Sequence, residues 1–180
     1  MNTVSVMDVD NLAIIRNSVD EFLRYAAARY AGQAGRLLDV APQEHPGARP
    51  FFPSHVSVET LDIDPRAGAT YTADLCDCEA AVAGSTFDYV VCTEVLEHTR
   101  QPFKAAESLF RVLKPGGLCF ATTPFNFRIH GPSPDCWRFT ESGLRELFKP
   151  FHVVELTAVD MPDRFLMPIH YRVVAQRPVC

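Results

Sequence analysis

Between Phe87 and Pro124 the chain reads FDYVVCTEVLEH, then a stretch with helical spacing, then VLKPGGLCFATTP. Short apolar runs bounded by turn residues fit buried strands. The first run ends in a polar cluster, Thr93, Glu94, Glu97 and His98, and Phe103 to Leu113 reads as an amphipathic helix. Two strands joined through a helix make a βαβ unit, whose strands run parallel. Parallel sheets carry helices on both faces and bind ligands outside the carboxyl ends of their strands. The polar cluster stands at such an end.

The other segments extend the pattern. Asn11 to Ala31 places Leu12, Ile15, Val19, Phe22, Leu23 and Ala26 near helical spacing. RLLDVA, after Gly35, reads as a short strand that stops at Pro42. PQEHPGARPFFP holds four prolines, whose missing N–H groups and fixed φ argue against a regular helix. VSVETLDID is a second strand ending at Pro65, and ATYTADL a short third ending at Asp74. Phe87 to Val95 is the fourth and Leu118 to Thr123 the fifth. Lys114-Pro115-Gly116-Gly117 is expected as a helix stop and a turn into that fifth strand. Thr140 is positioned to cap a helix through Phe148. FHVVELTAV and IHYRVVAQ follow each other without a helix, so the terminal strand is expected to be antiparallel. The expected fold is α/β, a doubly wound, Rossmann-like, mostly parallel seven-stranded sheet with an antiparallel last strand and helices on both faces. At 180 residues one domain is expected: a helical segment 1–34, a ligand-binding core 35–124, a loop 125–139 and a helix with two strands 140–180.

Composition narrows the function classes. A net charge of −5 and a pI near 5.6 argue against a nucleic-acid partner, which favours a basic excess. No apolar run approaches the length of a membrane span, and MNTVSVMDVDNLAII lacks the basic start of a signal peptide. A cytoplasmic protein without a membrane partner is expected. The six cysteines show no C-x-x-C pair. Cys92 and Cys119 read as small buried hydrophobes, and Cys76-Asp77-Cys78 is a poor zinc signature, so no metal is expected.

Taken together these segments resemble the class I S-adenosylmethionine-dependent methyltransferases, in their small-molecule branch. The resemblance runs from about Arg36 to Arg177 and is most specific in FDYVVCTEVLEH, VLKPGG and the strand that follows. It implies S-adenosyl-L-methionine as cofactor and assigns roles residue by residue. Asp39 takes the acidic position near the end of the first strand, with Ala41 and Pro42 beginning the loop against the methionine part. Asp62, with Asp64 second, would hold the ribose hydroxyls, beside Ile63. A strand-end carboxylate can accept both hydroxyls in charge-assisted bonds. Asp74 would meet the adenine amine, with Asp77 close enough to substitute, and Leu75 would pack on the ring. Thr93 and Glu94 complete the cofactor set, and acidic groups suit a cationic sulfonium.

One departure stands out. Where the family has Gly-x-Gly-x-Gly, this chain has Ala41-Pro42-Gln43-Glu44-His45-Pro46-Gly47. Either the loop is rebuilt with proline and stays open, Gly47 giving one permissive point, or cofactor binding is weakened or lost. The second case would make the chain a non-catalytic Rossmann-like binding partner. A nicotinamide-dependent oxidoreductase is disfavoured, because no G-x-G-x-x-G follows the first strand.

Substrate recognition is expected from Phe125 to Phe139, through Phe125, Asn126, Phe127, Arg128, His130, Trp137 and Arg138. Aromatic rings could stack on a planar or sugar-like face and the arginines could pair with an anion. The alternative is that the aromatics close the core beneath a long loop. The reaction expected is methyl transfer to an oxygen or nitrogen of a small polar or anionic metabolite. A hydroxyl acceptor needs a base, for which His98, His130 and, third, Asp135 are the candidates. His98 could equally orient its loop through hydrogen bonds. His170 and Tyr171 are assigned to the core. The site is open, or closed by a second subunit in a homodimer.

Overall fold

A computed structural model of the chain describes residues 4–42, 46–162 and 164–179. Helix α1 (Val6–Tyr30) leads into strands β1 (Gly35–Val40), β2 (Val56–Asp62), β3 (Tyr71–Thr72) and β4 (Phe87–Thr93). Helix α2 (Pro102–Val112), β5 (Leu113–Pro124), α3 (Glu141–Leu147), β6 (His152–Val159) and β7 (His170–Gln176) follow. The strands form one sheet in the order β3-β2-β1-β4-β5-β7-β6. β1 to β5 pair in parallel and β7 runs antiparallel to both its neighbours.

Successive strand residues point to opposite faces, and both faces are buried. Leu38, Val40, Val90, Cys92, Cys119, Ala121, Val173 and Ala175 pack under α2 and α3. Their neighbours Leu37, Tyr89, Val91, Phe120 and Val174 pack under α1 and the loop residues Ala48 and Phe52. Phe120 is the hub of this second face, with the rings of Phe22, Tyr30, Phe52 and Tyr89 around it. On the other face α2 presents Ala105, Ala106, Leu109 and Val112 from one stripe.

Several boundaries differ from the sequence reading, each for a local reason. Helix α1 starts at Val6 rather than Asn11, capped by the Ser5 hydroxyl, which accepts the Asp8 N–H at 3.1 Å. Its first turn buries nothing, since Val6, Met7 and Val9 are exposed, so no apolar period marks it. The third strand shrinks to two residues because Asp74 turns the chain into a 3₁₀ segment, Leu75–Asp77, by accepting the Cys76 N–H. The fourth strand stops at Thr93 instead of Val95, where Glu94 takes a left-handed φ of 54°.

The Lys-Pro-Gly-Gly stretch is a correction of another kind. It belongs to β5, which begins at Leu113, and Gly116 N–H and Gly117 C=O bond to the Arg177 backbone. The stop of α2 comes from elsewhere: the Arg177 guanidinium donates to the carbonyls of Phe110, Arg111 and Leu113. A distant arginine thus caps the orphan carbonyls of a helix end. Thr140 does cap α3, its Oγ accepting the Gly143 N–H at 3.1 Å. Residues 46–53 contain turns and no regular helix, as the prolines require. Among the described residues, no helix is long and apolar enough to cross a membrane.

Candidate active site

β1 and β4 lie side by side, while the chain from β1 proceeds outward to β2 and the chain from β4 outward to β5. This is the topological switch point, beyond whose strand ends open α/β sheets bind their ligands. Two non-glycine residues with left-handed backbone stand there, Ala41 (φ 50°) after β1 and Glu94 (φ 54°) after β4. Each such residue costs on the order of 1–2 kcal/mol. Strain of this kind concentrates at functional edges of a fold.

On the β1–β3 side the acidic residues are held by their own neighbours. Asp39 is buried and its Oδ2 accepts the Ala48 N–H at 2.7 Å. Burial pushes its carboxyl up to about 6 against the pull of that bond and of Arg49. The bond pins the loop that returns past Pro42. Gly47 is essential to it: with φ at 59°, an added Cβ would lie 2.1 Å from Asp39 Oδ2 and 2.8 Å from Pro42 Cβ. Gln43, Glu44 and His45 lie outside the described residues. The loop therefore keeps glycine-like backbone at Ala41 and Gly47.

Asp62 is 6% exposed, and its Oδ1 accepts the Asp64 N–H at 2.9 Å. Its Oδ2 is buried and has no partner among the described residues. A buried carboxylate oxygen without a donor is costly, and a ligand hydroxyl would remove that cost. Asp64, the second candidate, is committed to a solvent-facing pair with Arg66 (2.8 Å), which holds its carboxyl down to about 2. Ile63 is 66% exposed between these two aspartates. Asp74 uses Oδ1 in its turn, and Leu75 is buried beneath.

The β4–β5 side is built from distant parts. Glu94 Oε1 accepts the Thr122 hydroxyl at 3.0 Å and lies 2.6 Å from His170 Nε2. His170 Nδ1 is 2.9 Å from Ser18 Oγ on α1, and Arg172 Nε donates to the same hydroxyl at 2.9 Å. Arginine can only donate, so Ser18 accepts from Arg172 and keeps its own proton available for His170 Nδ1, the tautomer in which Nε2–H faces Glu94. His170 belongs to the core, as its strand position suggests, but it also fixes Glu94. Neither Ser18 nor Thr122 carried any signal of this role, because the contacts span 152, 76 and 28 residues.

Beyond Glu94, the 3₁₀ segment Leu96–His98 carries Glu97, whose side chain is fully buried and whose two carboxylate oxygens have no hydrogen-bond partner among the described residues. Burial, then the Glu94 charge, push its carboxyl well above the usual range. Facing it are His98 Nε2 at 3.7 Å and His130 Nε2 at 3.8 Å, with the two imidazoles 4.8 Å apart edge to face. His98 Nδ1 bonds the Pro134 carbonyl at 2.8 Å, which leaves Nε2 as the lone-pair nitrogen. Burial lowers the pKa of His130 in spite of Asp135, so its imidazole is neutral at pH 7.

Two members of the expected set have other work. Arg138 makes a bidentate pair with Asp135 at 2.5 and 2.7 Å and donates to the carbonyls of Phe127, Arg128 and Trp137. It is a strut of the loop and offers no free fork to an anion. The same pair holds the Asp135 carboxyl far below its usual range, which removes it as a base. Among the others, Arg128 is exposed, Asn126 lies 3.5 Å from Arg164, and Phe125 packs edge to face on Tyr171. Trp137 is 41% exposed with its indole N–H on the Thr99 carbonyl, stacked on the buried Phe139. Part of the aromatic set therefore closes the core and part faces outward.

Along this edge stand the unpartnered Asp62 Oδ2, the exposed Ile63 and, toward β4, the carboxyl groups of Glu94 and Glu97. Residues 13–164 match the family model described as a methyltransferase domain. The ubiquinone biosynthesis O-methyltransferase of Psychrobacter cryohalolentis is 41% identical over 108 residues, covering 54% of this chain and 42% of that protein. The protein of the same description from Vibrio cholerae is 35% identical over 54 residues, 30% of this chain and 22% of its own length. The chain thus spans less than half the length of these curated relatives. Among solved structures, the N-methyltransferase NodS from Bradyrhizobium japonicum superposes with a TM-score of 0.67 at 17% identity, covering 91% of this chain and 96% of NodS. The putative methyltransferase in complex with the Trm112 activator of Haloferax volcanii gives 0.68 at 16%, covering 98% and 100%. With more than four fifths of its length inside the family model, the chain belongs to the methyltransferase-domain family, the class I S-adenosylmethionine-dependent methyltransferases.

Proposed function

We propose that this chain transfers a methyl group to an oxygen or nitrogen of a small polar or anionic metabolite, acting as one cytoplasmic domain, and that oxygen is the acceptor atom. The observation that carries cofactor binding is the buried, unpartnered Asp62 Oδ2 beside a strained switch point. When bound, S-adenosylmethionine supplies an activated methyl on a good leaving group. Asp62 would take the ribose hydroxyls, Ile63 and Leu75 would flank the adenine and Asp74 its amine. Glu94, locked by His170 and Thr122, would face the sulfonium with Thr93, Ala41 and Pro42 nearby.

The chain's contribution is proximity, alignment and exclusion of water. The preference for oxygen rests on the two imidazoles at the β4–β5 edge, since a hydroxyl needs a proton acceptor and an amine does not. His98 has its Nε2 lone pair directed inward, and neutral His130 faces the same point. The curated relatives are O-methyltransferases as well. The acceptor would enter past Phe125, Asn126, Arg128 and Trp137. It would be a small molecule, without nucleic acid or membrane, and a second subunit in a homodimer could cover the opening.

Calorimetric titration with S-adenosylhomocysteine tests the reading, with Asp62→Asn as the discriminating variant. Binding by the wild type is expected, weakened 10-fold or more in the variant, as for loss of a bond to a charged group. Saturation at 100 times the dissociation constant adds about 2.7 kcal/mol, a rise in Tm of roughly 5–11 °C. Absence of heat and of any Tm shift at millimolar ligand would overturn the reading in favour of a non-catalytic binding partner.

A further inference from the structure

We propose that Glu97, His98 and His130 form a binding site for one divalent transition-metal ion, of the zinc type, at the acceptor edge of the crevice. The cysteines give no reason to expect a metal, and the sequence marks His98 and His130 as candidate bases, His130 also as a substrate contact, and Glu97 as part of a polar cluster. Three observations place them together as ligands.

First, one oxygen and two nitrogens converge. Glu97 Oε1 is 3.7 Å from His98 Nε2 and 3.8 Å from His130 Nε2, and the three ligand atoms all lie within 4.8 Å of one another. An ion with bonds of about 2.1 Å places adjacent tetrahedral ligands about 3.4 Å apart, so modest side-chain rotations complete the set.

Second, Glu97 is fully buried with both oxygens unpartnered, aimed at the two imidazoles. Without a cation, burial drives this carboxyl toward its neutral form and leaves its polar atoms without bonds, and a bound cation would pair with the ionised form and satisfy them. The nearby Arg138 does not serve that purpose, because its charge is taken by the bidentate pair with Asp135.

Third, His98 is held from behind, its Nδ1 bonded to the Pro134 carbonyl, and His130 is placed by its backbone N–H, which bonds the Asp135 carboxylate at 2.9 Å, itself fixed by Arg138. A ligating histidine characteristically uses its second nitrogen on a carbonyl or carboxylate, which sets the tautomer and directs the lone pair at the metal. A base acting alone would not require two rings oriented toward one buried carboxylate.

Two imidazoles and a carboxylate select zinc-like ions over magnesium, which prefers oxygen. Three protein ligands leave an open position, the pattern of a catalytic rather than a structural site. Under the methyltransferase reading, on which this clause rests, that position takes the acceptor's hydroxyl oxygen. Ligation would lower its pKa, so that it loses its proton to solvent near neutral pH. His98 and His130 would then be ligands, not bases.

The test is titration of chelator-stripped protein with Zn²⁺, and with Mg²⁺ in parallel, on the wild type, Glu97→Gln, His130→Ala and Cys136→Ser. S-adenosylhomocysteine binding is measured on each as a control for folding. The expected result is one Zn²⁺ per chain, bound at least 10-fold more weakly in Glu97→Gln and His130→Ala, and unchanged in Cys136→Ser. If Glu97→Gln fails to fold, the loop variant His130→Ala decides alone. The proposal is overturned if Zn²⁺ does not bind stoichiometrically, or if binding survives His130→Ala and is lost in Cys136→Ser. Zinc binding without S-adenosylhomocysteine binding would sink the methyltransferase reading and keep the metal site; the converse would do the opposite.

Discussion

The two sides of the switch point are made by different means. On the β1–β3 side, each carboxylate is set by residues close in sequence: Asp62 by Asp64, Asp64 by Arg66, Asp74 by Cys76 and Asp39 by Ala48. On the β4–β5 side, Glu94 depends on His170 and through it on Ser18, and Glu97 faces His130 from another loop. The first side is a row of local turns that prefigure a ligand site. The second is a network that exists only once α1, β4, β5 and β7 are assembled. Short-range turns cost little entropy to form, whereas contacts across 76 or 152 residues require the whole sheet. The polar groups of the first side are therefore set locally, and those of the second are set by the tertiary structure.

The largest expected effect strikes the local side. Gly47→Ala would place a Cβ into Asp39 Oδ2 and Pro42 and force a residue with a side chain to φ 59°. Left-handed strain and overpacking together give a loss of about 3–4 kcal/mol, read by urea unfolding. Unchanged stability would show that the loop folds without the Asp39–Ala48 bond. On the assembled side, His170→Leu would remove the link between Glu94 and Ser18, and a loss of about 2–3 kcal/mol is expected in the same measurement. An effect under half a kcal/mol would mean that the long-range network is incidental and that the contrast between the sides fails.

A third measurement sharpens the comparison through pH. Asp39 has a folded pKa raised to about 6, against an unfolded value near 3.8. The folded state holds this proton more tightly, so its stabilising contribution is complete below about pH 4 and is lost as pH rises through 6. The shift of about 2 units corresponds to roughly 3 kcal/mol at most. Asp39→Asn lacks this titration and can still accept the Ala48 N–H. Its stability relative to the wild type is expected to improve between pH 4.5 and 7.5, and a flat difference would contradict the burial argument. The smallest effect is Ala41→Gly. Relief of the left-handed backbone is offset by the greater freedom of glycine when unfolded, giving at most about 1 kcal/mol of stabilisation.

How much of this was legible beforehand follows from the same contrast. Alternating and continuous apolar runs announced the strands, and the absence of a helix between β6 and β7 announced the antiparallel end. Asp62 was singled out from its place at a strand end and from the resemblance. The start of α1 was not legible, because its first turn is exposed on all sides. Nor was the end of α2, which is stopped by Arg177 rather than by the glycines beside it. Arg138 and Asp135 looked like an anion clamp and a base, and only their mutual bidentate pair showed that they are a strut for the loop.

The sequence by itself determined the layering of this protein and the chemical types along its binding edge, since hydrophobic period and turn chemistry act over a few residues. Only the tertiary structure decided which polar groups are satisfied and which are left waiting. Asp62 Oδ2 and both oxygens of Glu97 are unpartnered because burial removes water from them while the fold supplies no donor. That balance depends on every neighbour in space, and a linear pattern does not encode it.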